Sequence, residues 1–541
     1  YPPLADLVPT LLNRLLEVEV ARGDEATEAT NLLNHIQAIP GTDWLVQFLL
    51  ALGKLPFLRG YSYSDGKGKY KKATFSALIR ASMPGPEDTA EEFAQKVKTA
   101  KIPEKRLIEL ALFNPQWAGF VEHTLGWSGL EAGVWWVHAH TRDDQWSVPQ
   151  EAREAWANDV AERTPLESRD LVDGAGDVAW FARTYETLKK KRWDQLYEAA
   201  KTASSGGGHK RAQLFADAML GRLTKTELVT RINDKRHKDA VRALGLLPLA
   251  RGKSREGDLL RRYELMQEFL RTSKQFGSMR QASEKRAVEI GQANLARTAG
   301  YPDPLRLQWA MEANAVQDLA DGAVSETVGE TTVSLCITDT GEPVIEVEKA
   351  GKTLKSVPAA ARKDRKVKAL RDRKTALKRQ TSRMRKSLEQ MMCDGQAFLG
   401  EELSKLCQHP LMRPMLERLV FIGEGIVGYP REGGKLLEDH AGQREPIKKT
   451  ENLRLAHPHD LLDRGDWAEW QRDCFAKERV QPFKQMFREL YVLTEAERAE
   501  GTGSKRYAGQ QVNPRQAMAL LGGRGWGVLP EAGVRKTYHD H

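Results

Sequence analysis

The chain has 541 residues, 40% of them hydrophobic and 29% charged, with 13 Trp, 4 Cys and a formal net charge of +9. Single hydrophobic cores stop growing near about 250–300 residues, so this length excludes one core and predicts a repeat array or two to four domains. The Trp content excludes a disordered chain, and no apolar run approaches the ~20 residues that cross a bilayer, so membrane insertion is not expected.

In chain order, Tyr1-Pro2-Pro3-Leu4 is unlike a signal peptide. Leu11, Leu12, Leu15 and Leu16 fall at helical spacing, and Leu32, Leu33, Ile36 and Ile39 predict a second helix closed by Pro40-Gly41. Thr42 and Asp43 are placed to cap a third, which carries Trp44, Leu45, Phe48 and Leu49. Similar punctuation recurs at Asn114-Pro115 and Gly126. Short amphipathic helices in series over residues 1–320 predict a HEAT-like helical array, an α-solenoid, although no fixed repeat period is visible.

Three segments of this array could carry chemistry. Tyr61, Tyr63 and Tyr70 interleave with Lys67, Lys69, Lys71 and Lys72, a mixture that single-strand nucleic-acid binders use and that a solvated glycine loop also contains. His138 and His140, with Asp143 and Asp144, would share a face only if extended; in a helix they splay, and no metal site is assigned. Gly206, Gly207, Gly208, His209 and Lys210 precede Leu214 and Phe215, so they form either a phosphate loop at a helix start or a linker, and the Walker spacing is absent.

Near Val324 the composition turns β-branched. Thr331 to Thr338 and Val344 to Val347, around Asp339-Thr340-Gly341, predict a hairpin in a small β unit over residues 324–357. A long basic helix follows over residues 359–395. In its stretch from residue 362 to 386, Arg362, Lys363, Arg365, Lys366, Lys368, Arg371, Arg373, Lys374, Lys378, Arg379, Arg383, Arg385 and Lys386 stand against Asp364 and Asp372 alone. This segment is therefore +11, more than the whole chain, and the remainder is close to neutral. Val367, Leu370, Leu377, Met384, Leu388 and Met391 occupy heptad a and d positions, interrupted by Lys374 and Thr381, so one narrow seam is expected to pack. Two readings stand: a strut with a solvated face, or a stripe of cations that binds nucleic acid or an acidic protein partner. Aromatic side chains for base stacking are absent from the stripe.

From Phe398 short apolar runs such as Leu419-Val420-Phe421-Ile422 alternate with helical ones, predicting a mixed α/β domain over residues 398–541 in a fold that is mainly α. Pro482 suits a first helical turn, after which Phe483, Met486, Phe487, Leu490 and Tyr491 would share an apolar face. His457, His459, Gln481, Gln485 and Arg488 are candidate pocket residues for an alternative function, an enzyme active site of unknown reaction. No Gly-x-Ser-x-Gly elbow, HExxH, EF-hand loop or dinucleotide fingerprint is present, so no catalytic residue and no cofactor is assigned, and the oligomeric state is left open. Cys336, Cys393, Cys407 and Cys474 include no CxxC pair, which fits neither a disulfide framework nor a zinc site and predicts a cytoplasmic location. The start without Met and the stop at Tyr538-His539-Asp540-His541 predict a piece of a longer protein.

Several stretches together resemble the bacterial molybdate-metabolism-regulator-like (MolR-like) family with its large C-terminal domain of unknown function, 4132. They are residues 274–284 (KQFGSMRQASE), 294–301 (NLARTAGY), 309–312 (WAME), 351–355 (GKTLK), 409–411 (HPL), 455–458 (LAHP) and 480–491 (VQPFKQMFRELY). The resemblance spans about residues 50 to 541. It implies a regulatory role and carries over no catalytic residue. Some members of that family bear a Trp-Gly-Arg domain associated with nucleic-acid sensing; the order here, Arg524-Gly525-Trp526-Gly527-Val528, differs, so that domain is not implied.

Overall fold

Breaks in apolar periodicity divide residues 1–308 into helices that make the first of two compact units in this computed structural model; residues 309–541 make the second. The structure describes residues 2–33, 35–58, 71–141, 150–203, 208–320, 322–522, 526–529 and 533–536. The fold is mainly α, with a helical array first and antiparallel sheets with helices after it.

In the first unit, Thr42–Leu52 packs on Lys71–Ala81, Ala90–Thr99 on Ala118–Leu125, and Leu130–His140 on Val178–Ala203. Helix Pro2–Val20 carries the leucine stripe, of which Leu16 is fully buried and Leu11 is exposed. Two local expectations differ. The second helix is only Ala29–Leu33, and Ile39–Pro40 leaves it to form a short parallel bridge with Ser82–Met83. The third helix is capped from a distance: the Asp88 carboxylate accepts from the Thr42 N–H (3.0 and 3.2 Å), so neither Thr42 nor Asp43 supplies the cap.

Helices Lys238–Leu244 and Ser278–Ala299 cross where Gly245 meets Gly291, close enough to bring backbone against backbone. Asn294 locks this crossing. Its Nδ2 donates to Gly174 O and Arg242 O (both 3.1 Å), and its Oδ1 accepts from Gly176 N–H (2.9 Å), joining segments about 120 residues apart in sequence. The array therefore holds long-range ties in addition to neighbour stacking.

Nearly three turns earlier on the helix Ser278–Ala299, buried Glu284 accepts from Arg236 at both oxygens (3.0 and 2.5 Å) and from Arg280 at one (3.0 Å), while Arg236 also stacks over Phe269. Burial alone would push this carboxyl up, but the guanidinium bonds outweigh it and hold Glu284 below its ordinary range. A depressed carboxyl contributes stability that is complete above the unfolded value of about 4.3 and is lost as pH falls through the folded one. Wild type should therefore exceed Glu284→Gln by roughly 1–2 kcal/mol in urea unfolding at neutral pH. That gap should narrow below about pH 4; a gap independent of pH would exclude the ionised carboxylate as its source.

The second unit begins with a four-stranded antiparallel meander, β1 (Val324–Val328), β2 (Thr331–Ile337), β3 (Pro343–Lys349) and β4 (Lys352–Thr353), paired in chain order. The expected hairpin is its β2–β3 pair, with Val333↔Val347 and Leu335↔Ile345 in register. Strand period two puts Val333, Leu335 and Val347 on one buried face, and β2 and β3 lie on the long helix that follows.

A second antiparallel sheet combines β5 (Ala397–Leu399), β6 (Phe421–Ile422), β7 (Val427–Arg431), β8 (Leu436–Glu438), β9 (Arg444–Pro446) and β10 (Asn452–Leu455) in the order β9-β8-β7-β6-β10-β5. Helices Pro458–Arg464 and Trp467–Ala476 cover part of it, burying Leu461, Trp470 and Cys474 with Val420, Tyr429, Ala456 and Met486. The segment after Pro482 is not helical. The Gln481 Oε1 accepts the Met486 N–H (2.9 Å) and Gln485 turns into the sheet, so side-chain bonds replace the expected i to i−4 ladder. Phe487 and Tyr491 consequently lie exposed rather than on a shared buried face.

Candidate functional site

The basic segment forms two helices, Ala359–Arg362 and Arg365–Cys393, because Asp364 takes an extended conformation between them. Its carboxylate accepts from Lys366 N–H (2.8 Å) and Val367 N–H (3.2 Å), a side-chain N-cap that starts the long helix anew. The heptad seam packs as its spacing predicts: Val367, Leu370, Leu377, Met384, Leu388 and Met391 are buried, with Thr381 and Gln380 beside them.

The thirteen cations are not equivalent. Arg373 makes a two-pronged pair with Asp318 (2.7 and 2.6 Å), which holds that carboxylate below its ordinary range. Lys366 reaches Glu326 (3.3 Å), Arg383 reaches Glu312 (3.0 Å), and Arg385 bonds Glu342. Arg362 donates instead to Val357 O (3.1 Å). Among the described residues, Lys363, Arg365, Lys368, Arg371, Lys374, Lys378, Arg379 and Lys386 have no carboxylate within salt-bridge distance.

Several of these unpaired cations converge on a cleft of about 660 Å³. Positions 368, 371, 375 and 378 share one face of a helix by their three- and four-residue steps, and Lys368, Arg371, Thr375 and Lys378 line it together with Lys374, Arg362 and Asp372. The facing wall is aliphatic, from Ile345, Val347 and Val357, and Lys355 and Ser356 close one side. Six cations thus surround the cleft with a single carboxylate. The sequence assigns no binding role to Lys355 or to the aliphatic wall, although Lys355 ends the GKTLK stretch just before the basic run and Ile345 and Val347 belong to the expected hairpin. Such a cleft can hold an anionic group by charge and an aliphatic one by contact, and none of its lining side chains offers a nucleophile with a paired base.

The other candidates are placed as follows. Gly206 and Gly207 lie outside the described residues, while Gly208 opens the helix Gly208–Met219 with His209 and Lys210 in its first turn. Of the tyrosine and lysine loop, only Lys71 and Lys72 are described, at the start of a helix; Asp143 and Asp144 are outside. His138 and His140 sit in the helix Leu130–His140 and diverge: His138 Nε2 donates to Leu112 O (3.0 Å), and His140 Nδ1 donates to Trp136 O (2.8 Å). Burial pushes His140 down to about 4.

The pocket candidates separate into structural duties. Gln485 is completely buried: its Oε1 accepts from Val420 N–H (2.9 Å) and from Gln481 Nε2 (3.0 Å), and its Nε2 donates to Val420 O (2.8 Å) and Ala456 O (2.9 Å). Gln481 also donates to Arg418 O (3.1 Å). His457 caps Pro458–Arg464, accepting from His459 N–H (3.3 Å), and burial with the nearby Arg488 charge lowers its pKa. His459 turns outward to Asp463 (3.0 Å), and Arg488 pairs with Glu389 (2.8 Å). The two glutamines meet each other, but as clamps on backbone.

Among the described residues no helix is long and apolar enough to cross a membrane. No curated protein and no solved structure matches the chain. Residues 351–526 match a domain of unknown function (DUF4132), which begins at the turn before the basic helix and includes the cationic wall of the cleft. Residues 1–311 match a different model, a family of unknown function (DUF5724); of the resemblance over about residues 50 to 541, the part matched is the domain of unknown function 4132, and no match is to a MolR-like family. By that match over more than half of its length, the chain belongs to the DUF5724 family.

Proposed function

We propose that this protein is a cytoplasmic scaffold or regulatory protein that recruits an anionic partner through the cleft on its basic helix. One observation carries the reading: the fold neutralises Lys366, Arg373, Arg383 and Arg385 with carboxylates and leaves Lys355, Arg362, Lys368, Arg371, Lys374 and Lys378 around a cleft with Asp372 alone. Like charges three and four residues apart oppose helix formation by roughly 0.2–0.5 kcal/mol per pair, so an unneutralised row works against stability and is suited to an outside anion. The resemblance to the MolR-like family supports the regulatory part. Acidic protein and nucleic acid both carry the required charge, although the lining has no ring on which a base would stack. The enzyme alternative loses its motive, because Gln481, Gln485 and Arg488 are occupied by structural bonds.

Fluorescence anisotropy with labelled poly-glutamate, DNA and RNA at ~50 and ~300 mM salt tests this, since charge-driven binding falls as salt rises. We expect at least one probe to bind, and Arg371→Glu with Lys378→Glu to weaken it by about tenfold or more. Arg379→Glu with Lys386→Glu, the same charge change elsewhere on the helix, should cost clearly less. Equal losses from both pairs, or no binding, would overturn the proposal.

A further inference from the structure

The second wall of the cleft is the edge of a sheet, and we infer from it that the anionic partner is an acidic peptide that binds as an added strand. This inference rests on the cleft reading above. In β3 the even-numbered peptide groups face β2, as the bonds at either end show: Thr338 N–H donates to Glu342 O (3.0 Å) and Ala350 N–H to Glu330 O (3.3 Å). The odd-numbered groups therefore face the other edge. There β4 pairs only with Glu348 and Lys349, and one further bond runs from Leu354 N–H to Val347 O (2.8 Å). After Leu354 the chain departs toward Pro358 and the basic helix.

Ile345 is the next residue along that edge. Its N–H and C=O point outward with Pro343 O beyond them, and among the described residues the pairing of β3 on this side is with β4 alone and does not reach Ile345. Ile345 and Val347 also line the cleft, opposite Lys368, Arg371, Lys374 and Lys378. An open edge is a template for an extended chain, with main-chain bonds giving affinity and alternate side chains giving selectivity.

The charge pattern fits the same occupant. The ten helical steps from Lys368 to Lys378 rise about 15 Å, the length of four to five extended residues. Acids at alternate positions of an added strand would meet the cations, and aliphatic residues near Ile345 and Val357 would cover the apolar wall. Nucleic acid would use the charge but has no backbone amide to complete the edge.

The test uses the intact protein and a labelled peptide of alternating Glu and Val, compared with two versions N-methylated on one or the other set of alternate residues. The unmodified peptide should bind, and one N-methylated version should bind about tenfold or more weakly while the other is unchanged, because only one set of amides faces the edge. Equal binding by all three peptides would overturn the added strand. Cleft-dependent binding of DNA or RNA with none of the peptide would also overturn it, while leaving the recruitment of an anion intact. Failure of every anionic probe would remove both.

Discussion

Replacing Gln485 with Met is expected to destabilise the second unit by about 3 kcal/mol, the cost of leaving two or three buried polar groups without partners. The side chain uses both of its atoms fully, holding Val420 at the entry to β6 and Ala456 at the exit of β10. Met has a similar volume, so a cavity does not explain the loss. Val420 O keeps its bond from Ala456 N–H (2.9 Å), whereas Val420 N–H and Ala456 O lose theirs. For a unit of this size the transition should fall by roughly 6–12 °C in a circular dichroism melt. Lys484→Met, one residue away and exposed, is the control; equal melting of the two variants would show that the clamp contributes nothing.

Gly245→Ala sets two physical effects against each other in the first unit. Helix propensity favours Ala by up to about 1 kcal/mol, and Gly245 has an ordinary right-handed φ of −70°. A methyl there would lie 2.8 Å from both Asn294 Cβ and Leu295 N, with Gly291 O closer still. Two of these neighbours are backbone and cannot rotate away, so the helices must separate and strain the Asn294 bonds. We expect a net loss of about 3 kcal/mol. Gly257→Ala, where the new carbon meets only the flexible end of Arg261 at 3.7 Å, should instead gain about 0.5–1 kcal/mol. If urea unfolding ranked the two substitutions alike, close backbone packing at Gly245 would be refuted.

Burial on one side imposes a period, and that is what could be read in advance. Val367 through Met391 show their seam because the long helix buries one side along its length, and the β2–β3 hairpin shows because alternation and a glycine turn are local. What stayed hidden is non-local. The carboxylates that sort the basic helix lie 40 to 71 residues from their partners, so +11 could be counted but not divided into neutralised and available charge. The residues after Pro482 carry a sound amphipathic pattern, yet Gln481 and Gln485 bond to backbone elsewhere and tertiary demand overrides the pattern. Asp364 was counted among the acids of the stripe; its capping of Lys366 and Val367 depends on backbone conformation that charge alone does not report.

The carboxylates that pair with the basic helix also have an order. Glu312, Asp318, Glu326 and Glu342 all precede Arg365 in the chain, and the meander is complete by Thr353. Synthesis from the N-terminus delivers the counter-charges and the apolar sheet face to the ribosome's exit before the first turn of the long helix emerges. Each of the four cations then appears in the presence of its partner. Of the thirteen positive side chains made beside a particle rich in RNA, the four that the fold neutralises thus meet their counter-charges as they emerge, through nothing more than the direction in which the chain is made.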